Sequence, residues 1–136
     1  PDALFGLEYH TETGSRFRFF VVEADRATEP VTSSNWNRKS VVRNFLQYQA
    51  YIGGGIYKNH LKLTAPLIVL NVTTSAIRAE RMKATLADLD GVNSAVQLFQ
   101  HWDAFGDVWR PQKPRTDLLD GPWSRAGCAD FRIDQT

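Results

Sequence analysis

The sequence predicts an α/β domain: a mixed central sheet, made of a hairpin plus crossover strands, flanked by helices. Three observations predict it. Two strand-like runs flank the turn sequence TETGS, which reads as a hairpin. The run PLIVLNVT, residues 66–73, is continuously apolar, the mark of a strand covered on both sides. Helical periodicity precedes and follows that run, so strands and helices alternate as crossover units require.

Each element has its local reason. ALFGLEYH, residues 3–10, alternates well enough for a strand, and Gly14 stands where a turn wants positive φ. RFRFFVVEA, residues 16–24, is the second strand, and TEPVTSSN, residues 28–35, is a loop holding several N-cap candidates. Across residues 36–52, Val41, Phe45, Tyr48 and Ile52 fall on one helical face, joined by Val42 and Leu46, until Gly53, Gly54 and Gly55 end the pattern. Thr74 or Ser75 caps a second helix running to about Leu89, closed by Asp90 and Gly91. AVQLFQHW, residues 95–102, is the expected last strand. Residues 1–102 therefore read as the core. Residues 103–136, rich in Pro, Gly and Asp, read as an irregular extension packed on it, anchored by Trp109 and Trp123. No repeat or linker divides the chain.

The totals exclude several classes. A chain of 136 residues, 43% hydrophobic and 12% aromatic, is one globular domain rather than a disordered segment. Cys128 is the single cysteine, so no internal disulfide forms, and a reducing, cytoplasmic setting is expected. No apolar run approaches the ~20 residues that span a bilayer. The chain opens on Pro1-Asp2 without a methionine and reads as a fragment of a longer one. The net charge of +1 hides an uneven distribution: residues 36–83 carry eight bases and one acid, between acidic flanks of net −3 each. Such a middle is consistent with a polyanion on one face, and equally with a solvated surface where charges cluster by chance.

The second strand ends in charge. Glu23 and Asp25 lie two apart and share a strand face. With a two-residue turn in the hairpin, Asp2 stands opposite Glu23. With a bulged three-residue loop, Tyr9 pairs with Phe17, Leu7 with Phe19, and Asp2 shifts to face Ala24. The second register gives the better cross-strand pairs. In either, Asp2 lies within a residue of Glu23. Clustered carboxylates repel unless a cation sits between them, and all-oxygen ligands suit Mg²⁺ or Mn²⁺. The bland alternative is an exposed strand end, ion-paired to Arg26 or Lys39. On the helix that follows, Lys39, Arg43, Gln47 and Tyr51 repeat every four residues as one polar stripe, able to face a phosphate backbone or only solvent.

Asp2 behind Pro1, then Glu23-Ala24-Asp25, then Gln47-Tyr48-Gln49-Ala50-Tyr51 on the next helix, resemble the PD-(D/E)xK nuclease superfamily, the last piece being similar to the QxxxY motif of its exonuclease-like branch. More narrowly, residues 1–5, 19–29 and 67–73, with Arg78, resemble the replication-relaxation family: bacterial and plasmid proteins of plasmid replication, DNA relaxation or mobilisation, often with an upstream winged-helix region. The resemblance covers residues 1–102 and implies a PD-(D/E)xK restriction-endonuclease-like core acting on DNA. It implies Asp2 and Glu23 as metal ligands, with Gln47 and Tyr51 beside them. One departure stands out. The motif's lysine, two residues after the acid, is Asp25 here.

Two expectations follow. One is a Mg²⁺-dependent deoxyribonuclease in which Asp2 and Glu23 hold metal, either Lys39 substitutes for the missing lysine or Asp25 serves as a third ligand, Lys39 or Arg43 contacts the scissile phosphate, and Gln47 and Tyr51 orient water or nucleic acid. The other is a catalytically inactive DNA-binding or assembly module, its phosphate contacts made by Arg38, Lys39, Arg43, Arg78 and Arg81. A weaker third is a protein-interaction domain without nucleic acid. Nothing in the sequence decides between a monomer and a homodimer. His101 and Cys128 form no metal or nucleophile set.

Overall fold

The computed structural model describes residues 1–34, 40–89, 91–103, 109–111 and 113–136. A six-stranded mixed sheet runs in chain order, β1 to β6. β1 (Ala3–Thr11) and β2 (Gly14–Ala24) are the antiparallel hairpin; β3 (Leu67–Thr73) and β4 (Gln97–His101) add in parallel. The α/β class and the strand order of the core are as the sequence predicts. Among the described residues, no helix is long and apolar enough to cross a membrane.

The hairpin takes the two-residue turn, correcting the bulged register that the sequence favoured: Thr11 pairs with Gly14 and Phe5 with Phe20. The observed register makes close cross-strand contacts. Gly6 lies opposite Phe19, and a β-carbon there would stand 2.7 Å from that ring. One position on, Phe5 and Phe20 stack with centroids 5.2 Å apart. Gly14, at φ 126°, starts β2 in a conformation that a side chain would strain.

The first helix is also corrected. α1 spans Val41–Tyr48, and Ser40 is its N-cap, extended at φ −148° and accepting from the Arg43 amide at 3.2 Å. The described helix begins at Val41; the expected helical residues 36–39 lie outside the described ones. A π-helical turn, Gln49–Gly53, follows α1. Gly55 at φ 68° then starts a short helix, α2 (Ile56–His60), which the sequence reading missed. α3 (Ala76–Ala87) is capped by Ser75.

α1 and α3 lie together on one face of the sheet: Val41, Phe45, Met82 and Leu86 pack with Phe99. Two successive crossovers stepping the same way across a sheet place their helices so. β3 is buried along its whole length. Its other face meets the C-terminal segment in a second cluster of Phe20, Ile68, Leu70, Leu98, Trp123 and Ile133. That segment is not irregular wrapping. It supplies α4 (Asp117–Asp120) and two short antiparallel strands, β5 (Trp123–Arg125) and β6 (Cys128–Phe131), which extend the sheet. Trp123 is fully buried and anchors it; Trp109, 90% exposed, does not.

Candidate functional site

Strand parity decides which side the acids take. Val21 packs with Tyr48 on the helix side of the sheet, so Glu23 and Asp25 follow it there. The Asp2 amide donates to the Val22 carbonyl at 2.8 Å although Val22 already pairs with Ala3, so the hairpin ladder is bulged where the chain enters it. Asp2 and Glu23 nonetheless come to line one cavity at this end of the hairpin. In β3, Asn71 neighbours Glu23 by register. Asp2, Glu23, Asp25, Glu29, Asn44 and Asn71 line one cavity of about 640 Å³, and Arg26 lines it too.

The three acids are held differently. Asp2 Oδ2 accepts from the Ala24 amide at 2.7 Å. Glu23 Oε1 accepts from the Tyr48 hydroxyl. Burial first, then the bond to Glu23 and its charge, raise the Tyr48 phenol above its usual 10, so it stays a donor. Among the described residues, the second oxygen of each of these two carboxylates takes no hydrogen bond.

Asp25 is saturated instead. Its Oδ1 accepts from Arg78 Nη2 at 2.9 Å and from the Ala27 amide at 3.2 Å. Its Oδ2 accepts from Thr73 Oγ1 at 2.7 Å and from Arg78 Nε. Burial raises the carboxyl's pKa, but the Arg78 and Thr73 bonds and the Arg78 charge outweigh it and hold Asp25 below its usual 3.8. Arg78 also donates to the Glu29 carbonyl at 2.8 Å. Ser75 aids this placement by capping α3 at the Arg78 amide. The pair is a clamp joining the end of β2, the following loop and α3.

The structure therefore brings Asp2 and Glu23 together and turns Asp25 to another task. Among the described residues no group of three or more His, Cys, Asp or Glu is arranged to hold a metal. Two hard carboxylates with an oxygen each to spare do fit Mg²⁺ or Mn²⁺, ions commonly held by one or two carboxylates and completed by water and phosphate oxygens.

The other expected residues scatter. Gln47 and Tyr51 line a second cavity of about 560 Å³, which shares Glu23 and Asn44 with the first. Arg43 is half-buried and lines neither cavity. Arg78 is committed to Asp25, and its side chain is only 13% exposed, which removes it from the expected DNA-facing set. Arg81 is exposed on α3. Arg38 and Lys39 lie outside the described residues.

Sequence reasoning missed Asn44, Tyr48, Asn71 and Thr73. Tyr48 was indistinguishable from a core aromatic. Asn71 carried a signal: a lone amide inside LIVLNVT, which is 2% exposed and donates to Gln97 Oε1 at 2.9 Å. The helix row that overlooks the acids is Val41, Asn44 and Tyr48 rather than the spaced-by-four stripe.

Comparison with family models, with curated proteins and with solved structures finds no match to this chain.

Proposed function

We propose that this is a nuclease-like α/β domain that engages a DNA phosphodiester through Mg²⁺ or Mn²⁺ held by Asp2 and Glu23, in the setting of plasmid replication or mobilisation that the motif resemblance implies. One observation carries this reading: Asp2 and Glu23, from the two strands of the hairpin, line the same cavity. When bound, the ion supplies a Lewis acid for a phosphoryl oxygen and lowers the pKa of an attacking water. The chain supplies orientation. Tyr48 fixes one oxygen of Glu23, the Ala24 amide fixes one of Asp2, and the Asp25–Arg78 clamp sets the end of β2 from which Glu23 projects.

A second reading has its own support. The position two residues after Glu23, where the nuclease motif has its lysine, carries an acid whose charge is spent on Arg78. On that reading the domain binds DNA and metal without cutting.

Calorimetric titration with Mn²⁺, for the wild type and Glu23→Ala, together with incubation on supercoiled plasmid, tests both. Glu23-dependent binding with nicking supports the enzyme. Glu23-dependent binding without nicking supports the silent module. Metal binding unaltered by Glu23→Ala overturns the site.

A further inference from the structure

The second cavity has walls of a different kind from the first. Leu4, Val21 and Leu61 give it apolar sides, and Gln47, Tyr51 and His60 bring polar atoms to it. Tyr51 is held in place rather than loose. Its hydroxyl lies 2.8 Å from His60 Nδ1, its ring meets His60 edge-on at 5.9 Å, and a second neighbour, Tyr57, lies 6.3 Å away. The π-helical turn carries Tyr51 at this position, one residue row beyond α1. Its volume of about 560 Å³ falls within the range of small-molecule sites. Pro1, Glu23 and Asn44 line both cavities, with the Pro1 amino group 3.3 Å from Glu23 Oε1.

We propose that this second cavity receives one unstacked nucleobase next to the phosphodiester at Asp2 and Glu23, making the substrate single-stranded DNA or an unpaired end. The inference rests on the proposed function above. A nucleobase is a flat apolar body with a polar rim. It matches a slot whose sides are aliphatic and aromatic and whose edge carries the Gln47 amide, able both to donate and to accept. A base stacked inside a duplex cannot enter such a slot, whereas an unpaired one does so without breaking pairs. The shared lining ties the two sites to neighbouring parts of one nucleotide. Leu4, 47% exposed on edge strand β1, leaves the slot an open side through which the strand would pass.

The test compares thymidine 5′-monophosphate with 2-deoxyribose 5-phosphate, each titrated into the protein in Mn²⁺. These ligands share the phosphate and sugar and differ in the base. Wild type binds the nucleotide at least about fivefold more tightly, as one stacked base provides. Gln47→Ala and the slot-filling Leu4→Trp remove that advantage while Mn²⁺ binding alone is unchanged. Both positions are exposed, so neither substitution threatens the core. Equal affinity for the two ligands, with Glu23-dependent Mn²⁺ binding intact, overturns the base slot and leaves the metal site standing. Loss of Glu23-dependent Mn²⁺ binding overturns both. A preference for duplex over single-stranded oligonucleotides of one sequence also counts against the slot.

Discussion

Replacing Arg78 by alanine leaves Asp25 as a carboxylate in a site where its side chain is 13% exposed. It also strips two of the four donors from that carboxylate and one from the Glu29 carbonyl. Breaking a buried ion pair from one side costs roughly 3–5 kcal/mol. Thr73 and the Ala27 amide remain to Asp25, so the low end applies, about 3 kcal/mol. Against a total stability of roughly 5–15 kcal/mol that is a large fraction. Urea denaturation at pH 7 reads it as a drop in midpoint at constant slope. The pH dependence is a second check. Asp25 is held below its usual 3.8 in the fold, so its contribution is present above that value and is lost as pH falls through the lower folded value. In Arg78→Ala, burial instead raises the Asp25 pKa, and protonation relieves the mutant. The gap between the two proteins is therefore widest near neutrality and narrows at acid pH. A double-mutant cycle with Asp25→Asn isolates the pair. A loss below about 1 kcal/mol, typical of a surface pair, or a gap indifferent to pH, refutes the clamp.

Tyr48→Phe deletes the donor to Glu23 while keeping the ring in the core, and is expected to cost about 1 kcal/mol in chemical denaturation. Because the folded Tyr48 phenol titrates above its usual 10, its contribution holds below that pH and is lost as pH rises beyond it; the phenylalanine variant lacks this alkaline decline, which stability measurements from pH 9 to 11 detect. Trp123→Ala and Trp109→Ala make a contrasting pair. The first empties a fully buried site and is expected to cost about 3–5 kcal/mol, while the second, at a residue 90% exposed, stays within about 0.5 kcal/mol, both read as thermal midpoints.

Which features were legible in the sequence follows from the range of the forces involved. β3 was readable because seven apolar or buried-compatible residues in a row have few other uses, and the turn at Gly14 because only glycine suits φ 126°. The start of α1 at Val41 was not legible because its cap is Ser40, a local hydrogen-bonding choice among several polar candidates before the apolar face begins. β5 and β6 were missed because three- and four-residue strands carry almost no periodic signal; they exist because Trp123 and Ile133 bury against Phe20 and Leu98.

The candidate site divides in the same way. That Glu23 and Asp25 share a face follows from strand alternation, a property of the chain itself. That Asp2 lines one cavity with Glu23 depended on how the chain enters the hairpin, where the Asp2 amide bonds to Val22 and its carboxylate to the Ala24 amide. That Asp25 leaves the pair for Arg78 depended on α3 arriving from 53 positions along the chain. Side-chain period and turn chemistry act over a few residues and are written in order along the sequence. The partner of a buried charge is chosen by packing between distant segments, and only the assembled sheet and helices bring those segments within hydrogen-bonding reach.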